Sequence, residues 1–400
     1  MTTDRTAIRR RLAIRGRAHR PPWGVRKAGH NLIVAPLAAT VAATVALGVG
    51  LTLARTERER RRTRQRQLER RLGVLPGEPL GDALRRMALG QIDLALEQLA
   101  GAGAGAGAGA ASNGAGPAGA PDEQAVHETR KAIKRLRALL RLLRDELGER
   151  AYARENAALR AIAQRLSGAR DAAVMLNTLD GLIERHPRKL GRRRGVRKLR
   201  ARLHAEHERM RQLTLSDPAT RAEVLGELHA LRWRVAAWKL PERKGIELVD
   251  ARLERLYEQG RRRGRLAARG KGERMLAFHE WRKRVKDLRY AAEMLDRRDP
   301  GVSGRSDREL GRLARRADEL AEVLGDEHDL AIFAARLRAA RRRDEHQTWH
   351  TGRGTRTQLL ELIAKRRRAL RKRGLRQGKR LYRERPNRFM RRVRAAPRLS

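Results

Sequence analysis

The fold is decided by a twelve-residue stretch that the chain contains twice, as VHETRKAIKRLR at residues 126–137 and as FHEWRKRVKDLR at residues 278–289. Seven of the twelve positions are identical at an offset of 152 residues. A second pair follows at an offset of 158, with LSGARD at residues 166–171 and LGDEHD at residues 324–329. Two pairs in the same order indicate an internal duplication, so we expect two copies of one structural unit.

Each copy of the stretch has the pattern of an amphipathic helix. At about 100° per residue, the cations and the histidine of a copy fall within roughly 120° of one another. In the first copy the opposite side is apolar and carries Ile133, Leu136, Leu139, Leu140 and Leu143. The polar faces consist of His127, Arg130, Lys131, Lys134, Arg137 and Arg141 in the first copy, and of His279, Arg282, Lys283, Lys286 and Arg289 in the second.

These two faces predict a surface that binds a polyanion. A solvated helix face usually carries Asp or Glu among its cations, because like charges at i,i+4 cost a few tenths of a kcal/mol per pair. Here acids are few, and the duplication keeps each cation in its place. Successive turns place cations about 5.4 Å apart, which suits a chain of phosphates. Two such helices that face each other would form a basic cavity.

The composition favours an all-α fold and a polyanionic partner. The 400 residues include 95 Lys and Arg against 46 Asp and Glu, a net charge of +49. Leu and Ala favour helices, whereas the residue types that favour strands are few. The absence of Cys excludes disulfides, Cys-ligated zinc and a thiol nucleophile. Because Arg is abundant throughout, the positions of the charges are more informative than their sum.

The N-terminal part of the chain predicts a membrane anchor. Residues 1–31 are a basic segment, and residues 32–54 contain no charged side chain. At about 1.5 Å per residue, residues 32–54 are long enough for a membrane-spanning helix, and a helix buried in protein is the alternative. Residues 55–78 form a basic juxtamembrane stretch that suits an anionic membrane surface. Lys and Arg are equally frequent on both sides, so the orientation is undetermined.

A helical domain is expected over residues 79–395. Its first repeat covers about 79–240 and includes a Gly/Ala-rich insertion at 101–121, and its second repeat covers about 241–395. The spacing of Leu predicts about ten helices, of which the first runs from Leu80 to Leu99. Glycines indicate helix breaks, among them Gly168 and Gly325.

The pattern H-E-x-R-K-x-x-K-x-L-R, present twice and followed each time by L-x-x-x-(R/H)-D, resembles the CHAD family, the conserved histidine α-helical domain. The resemblance extends over residues 79–395. It implies two pseudo-symmetric four-helix bundles around a basic central cavity that binds inorganic polyphosphate. The second copy has His328 where the first has Arg170. By position the resemblance assigns the ligand to His127, Arg130, Lys131, Lys134, Arg137, Arg170, His279, Arg282, Lys283, Lys286 and Arg289.

Asp171 and Asp329, which end the second motif, are expected to give structural support. Such an Asp caps the following helix or pairs with an Arg of the cationic helix. No group of His, Asp and Glu has the spacing of a metal site, so no metal is expected. A further basic helix near the C-terminus would extend the cavity or be solvated, and its cations are Lys365, Arg368, Lys372, Arg376 and Lys379.

The sequence therefore predicts non-catalytic binding of inorganic polyphosphate. No P-loop, carboxylate cluster or nucleophile motif is present, so we expect no enzymatic activity and no cofactor. The alternative is non-specific binding of the DNA or RNA phosphate backbone, which the scarcity of aromatic residues disfavours for single strands. From the resemblance we expect the helical domain in the cytoplasm, attached to the cell membrane if residues 32–54 insert.

Overall fold

The computed structural model describes residues 73–75, 77–101, 123–215, 218–242, 245–270, 274–296, 309–340, 349 and 351–395. Within these ranges the chain is helical and contains no strand, which confirms the all-α prediction. No helix of the described part is long and apolar enough to cross a membrane. Residues 32–54 and nearly all of the Gly/Ala-rich insertion lie outside the described residues, so the membrane-spanning helix stays a prediction.

The described residues contain eleven α-helices. A π-helical turn, Pro187–Gly191, lies between the fourth and fifth helices, and a 3-10 turn, Ile246–Leu248, precedes the seventh. The α-helices are α1 (Leu80–Gly101), α2 (Glu123–Leu142), α3 (Arg144–Arg165), α4 (Gly168–Arg185), α5 (Arg194–Leu215), α6 (Pro218–Ala236), α7 (Asp250–Arg269), α8 (Arg274–Leu295), α9 (Glu309–Ala339), α10 (Arg353–Leu381) and α11 (Pro386–Ala395).

The helices pack in two similar sets. In the first, α1 contacts α2 and α6, and α3 contacts the same two helices. In the second, α8 contacts α7 and α9, and α10 contacts the same two helices. The sets meet where α2 contacts α8, which are the helices that carry the repeated stretch. The helices α4 and α5 pair with each other, and α4 lies against α9.

The apolar sides of the repeated stretch form part of the core, as the periodicity predicts. Ile133, Leu136 and Leu139 of α2 are buried, and so are Val285 and Leu288 of α8. Each buried side chain of this size stabilises the fold by about 1.5–3 kcal/mol, so these residues together contribute several kcal/mol. Because the apolar side of each helix is buried, the cationic side faces away from the core.

The second motif differs between the two copies. In the first copy α3 ends at Arg165 and α4 begins at Gly168, so the chain breaks where expected. In the second copy α9 continues without interruption through Gly325, and the predicted break there is wrong. A Cβ at Gly325 would lie 3.5 Å from Nη2 of Arg282, an ordinary van der Waals distance, so the packing against α8 does not require glycine here. The buried face of α9 outweighs the helix-propensity cost of about 1 kcal/mol for one Gly.

Thr129 of α2 and Trp281 of α8 occupy equivalent positions of the repeated stretch. Both side chains are buried. The indole of Trp281 lies between two glycines on neighbouring helices. A Cβ at Gly264 of α7 would lie 3.0 Å from its Cε2, and a Cβ at Gly378 of α10 would lie 2.6 Å from its Cη2. The absence of side chains at these glycines therefore makes room for the indole.

Replacing Gly378 by Ala is expected to destabilise the fold. The new Cβ would overlap the Trp281 ring, and overpacking of this kind costs about 1–3 kcal/mol. Gly226→Ala in α6 is the matched control, because nothing lies within 4 Å of a Cβ there. The control is expected to stabilise by about 0.5–1 kcal/mol. Urea unfolding measures both, and equal free energies of unfolding for the two variants would contradict this packing.

Candidate functional site

Three cations of α8 line a cavity between α8, α9 and α10. Arg282, Lys286 and Arg289 lie at i, i+4 and i+7, and Arg373 of α10 also lines the space. The cavity measures about 850 Å³, including the part open to solvent. Its α9 wall contains the acids Glu322, Asp326 and Asp329. The structure thus brings three predicted residues of the second copy together at one cavity, whose charged lining is four cations and three acids.

A pair of histidines packs beside these cations. The ring centroids of His279 in α8 and His328 in α9 are 4.5 Å apart. Both Nδ1 atoms are buried and have no hydrogen-bond partner among the described residues. Burial lowers the pKa of His279, and the charge of Lys283 lowers it further. Burial likewise lowers the pKa of His328 to about 4, with contributions from Arg282, His279, Lys286 and Arg367. Both imidazoles are therefore neutral at pH 7 and can bind an anion only as hydrogen-bond donors.

A buried carboxylate positions two arginines of α10. Glu327 of α9 is almost fully buried, and its Oε1 lies 2.8 Å from Nη2 of Arg367 and 2.7 Å from Nη2 of Arg371. Cζ of Arg371 also lies 5.4 Å from the ring centroid of Phe278. These contacts hold Arg367 beside His328, where its charge contributes to the low pKa of that histidine.

Sequence reasoning missed the cations of α10 that face the site. Lys365, Arg368, Lys372, Arg376 and Lys379 are all exposed and are not among the residues that line this cavity, and their role stays a prediction. The cations that contact α9 or line the cavity are Arg366, Arg367, Arg371 and Arg373. A signal existed, because Arg366 and Arg367 border the stripe formed by the buried residues Leu359, Ile363 and Leu370.

Two arginines of the first copy donate hydrogen bonds to neighbouring protein groups. Nη1 of Arg130 donates hydrogen bonds to the carbonyl oxygens of Ala163 at 2.9 Å and Leu166 at 2.5 Å, at the C-terminal end of α3. Nε of Arg137 donates to Oδ1 of Asn156 at 3.1 Å. Arg130 thus binds carbonyls that a helix end leaves without helical partners.

Burial lowers the pKa of Arg137, and the charges of Arg141 and Arg160 lower it further. His127 is exposed, and Lys134 is half-buried. The first copy therefore presents crowded positive charge at the C-terminal half of α2 and a more open surface near its start.

The glutamate of the repeated stretch binds a lysine in both copies. Oε2 of Glu128 lies 3.4 Å from Nζ of Lys131, and Glu280 forms the equivalent ion pair with Lys283. The hydrogen bond from Lys283 lowers the pKa of Glu280. This pairing explains why the duplication keeps the glutamate, and the i,i+3 spacing in the sequence already indicates it. The predicted ligand contacts of the two lysines remain a prediction.

The helices α2 and α8 are linked by ion pairs at Asp287 of α8. Its Oδ1 lies 3.1 Å from Nη1 of Arg141 in α2, and its Oδ2 lies 3.0 Å from Nη1 of Arg284 in α8. Burial raises the pKa of Asp287, and the charges of Arg141 and Arg284 counteract that effect. In the first copy Arg135 occupies the equivalent position. The acid therefore replaces a cation where the two helices meet.

Arg289 is fixed by two carboxylates. Its Nε lies 2.6 Å from Oε1 of Glu293, and its Nη1 forms an ion pair with Asp318 of α9. Burial alone would lower the pKa of Arg289, but the hydrogen bond to Glu293 and the charge of Asp318 raise it. The guanidinium thus remains charged and is held in one place at the edge of the cavity.

The second motif contributes differently in the two copies. Asp171 is exposed in the first turn of α4, where a negative charge suits the helix dipole. Asp329 lies in the middle of α9, so the capping role is wrong for it, and it lines the cavity instead. Arg170 lies in α4, and its side chain is outside the described part. Its binding role and the supporting roles of the two acids stay predictions.

A family model described as the CHAD domain matches residues 110–338, which is more than half of the chain. The crystal structure of the CHAD domain from the plant Ricinus communis is similar, with 16% identity and a TM-score of 0.48 over 81% of this chain and 95% of that chain. PptA from Streptomyces chartreusis has 17% identity and a TM-score of 0.49 over 76% of this chain and 99% of that chain. No curated protein matches. Since both TM-scores lie below 0.5, the assignment depends on the family model.

Replacing His328 by Gln is expected to weaken the pH dependence of stability. The unfolded chain protonates this imidazole near pH 6.5 and the folded chain only near 4. Between these values the unfolded state binds more protons, so the free energy of unfolding falls as the pH is lowered through this window. The shift corresponds to at most about 3 kcal/mol. Urea unfolding of both proteins at pH 7 and pH 5 measures the difference, and an identical pH dependence would show that His328 is not held neutral.

Proposed function

The chain belongs to the CHAD domain family, which is associated with polyphosphate binding, and we propose that this protein binds inorganic polyphosphate through the cationic faces of α2 and α8. The observation that carries the proposal is the cavity beside α8. It gathers Arg282, Lys286 and Arg289 of the repeated stretch with Arg373 of α10. Cations along successive helical turns can neutralise successive phosphates of an extended chain.

The helix contacts support two bundles in the domain. One bundle is α1, α2, α3 and α6, the other is α7, α8, α9 and α10, and the α4–α5 pair packs on α9 of the second bundle. The equivalent helices α2 and α8 are the contact between them. In this proposal one polyphosphate chain contacts the cationic faces of both helices.

The residues of the site have distinct roles in binding. Arg282 and Arg289 offer forked guanidinium groups that donate two parallel hydrogen bonds to a phosphate, whereas Lys286 acts as a compact charge. His279 and His328 are neutral and add hydrogen-bond donors without further repulsion. Because Glu293 and Asp318 already hold Arg289, little side-chain entropy is lost when the ligand arrives.

The contacts favour binding without catalysis. Asp287, Glu327 and Asp326 each pair with arginines, which suits a role in positioning cations. The aromatic side chains beside the site, Phe278 and Trp281, are buried in the core and offer no platform on which a base could stack. These features suit a phosphate polymer without bases. The cytoplasmic location is part of this proposal, because it follows from the ligand.

Reversing the charge of both repeated lysines, Lys134→Glu with Lys286→Glu, is expected to weaken polyphosphate binding more than about 100-fold. Like charge placed against a ligand costs several kcal/mol. The control is Lys365→Glu with Lys372→Glu, which changes the net charge equally at exposed positions of α10. Isothermal titration with long-chain polyphosphate measures the affinities, and circular dichroism checks the helical content. Equal losses in the two variants would show that total charge, not the α2 and α8 faces, determines binding.

A further inference from the structure

A second cavity lies between the α2–α3 junction, α7 and α8. Its charged lining residues are seven arginines, and it measures about 960 Å³, including the part open to solvent. No residue lines both this cavity and the one beside α9. On α8 it is lined by Arg284, which lies about 200° around the helix from Arg282. The two cavities therefore use different sides of α8.

The second cavity has more positive charge than its surroundings compensate. Arg252 pairs with Asp145, and Arg144 with Glu149. Arg141 and Arg284 share the single carboxylate of Asp287. Three arginines of α7 make no ion pair within the described part of the chain, namely Arg255, Arg262 and Arg263. The lining arginines therefore outnumber the carboxylates that form ion pairs with them by seven to three, and Glu280 also interacts electrostatically with Arg263.

The geometry of these arginines defines the class of ligand. Arg252, Arg255, Gln259 and Arg262 follow one another at i, i+3, i+7 and i+10 along α7. This stripe extends about 15 Å, and Arg141, Arg144 and Arg284 approach it from other helices. An anion with several charges along a short chain fits such a surface, and guanidinium groups favour phosphate because of their paired donors.

The cavity disfavours a nucleotide. Its aromatic side chain is Tyr152, and the guanidinium of Arg144 covers that ring at 4.6 Å from the centroid. A base would have to displace this cation to stack on the ring. The remaining neutral residues of the lining are Leu256 and Gln259.

We propose that the second cavity is a separate binding site for a short oligophosphate. The ligand is a free oligophosphate of a few units or a short stretch of a longer polyphosphate, and both present the same chemistry to the arginines. The two cavities share no lining residue. Arg141 also belongs to the cationic face of α2, so the site is tested through the α7 arginines, which do not.

The test is isothermal titration of the full chain with tripolyphosphate. The variant Arg255→Gln, Arg262→Gln, Arg263→Gln removes three charges that make no described ion pair, and Gln preserves helix propensity. The matched control is Arg265→Gln, Arg269→Gln, Arg388→Gln, at exposed positions outside the cavity. Wild type and control are expected to bind at two sites, and the variant at one, with at least a tenfold loss at the other. Arg262→Gln alone serves if the triple variant unfolds.

A variant that matches its control in stoichiometry and affinity would overturn the second site, as would a single site in wild type. Lys286→Glu separates this outcome from the proposed function. If Lys286→Glu removes all binding while the α7 variant keeps it, the second site is wrong and the first stands. If the reverse holds, the second site stands and the first is wrong. Repeating the titration with long-chain polyphosphate tells whether the cavity takes free oligophosphate alone or also a stretch of the polymer.

Discussion

The contact between two cationic helices, α2 and α8, is the constraint on which the rest of the structure depends. Like charges brought together in a partly buried contact repel strongly, because the effective dielectric constant is low. The chain resolves this at Asp287, which binds Arg141 of α2 and Arg284 of α8. The duplicated position in the first copy is Arg135, so an identical copy would have placed a cation at this point.

The same constraint organises the binding surface. Glu327 under Arg367 and Arg371, and Glu293 with Asp318 beside Arg289, use buried or half-buried acids to hold arginines in fixed positions. Neutral histidines stand where further cations would add repulsion, because burial lowers the pKa values of His279 and His328. These acids hold the arginines in place, and three further acids, Glu322, Asp326 and Asp329, line the cavity beside the cations.

The local pattern of the sequence was sufficient for the faces of α2 and α8. Periodicity placed Leu136 and Leu288 in the core, and the repeat singled out Arg282, Lys286 and Arg289, which the structure gathers at one cavity. The sequence pattern did not predict that Arg367 and Arg371 belong to the site, because their positions depend on how α10 packs on α9. Gly325 predicted a helix break, but α9 continues through it because the burial of α9 against its neighbours outweighs the low helix propensity of one glycine.

The central claim is that the duplicated faces form a dedicated site for polyphosphate. A competition titration of the full chain with long-chain polyphosphate, duplex DNA and tRNA at two salt concentrations tests it most directly. The account predicts that polyphosphate displaces both nucleic acids by much more than its charge density explains, at both salt concentrations. Equal competition by all three polymers with one common salt dependence would contradict it, and would make the protein a general cationic surface.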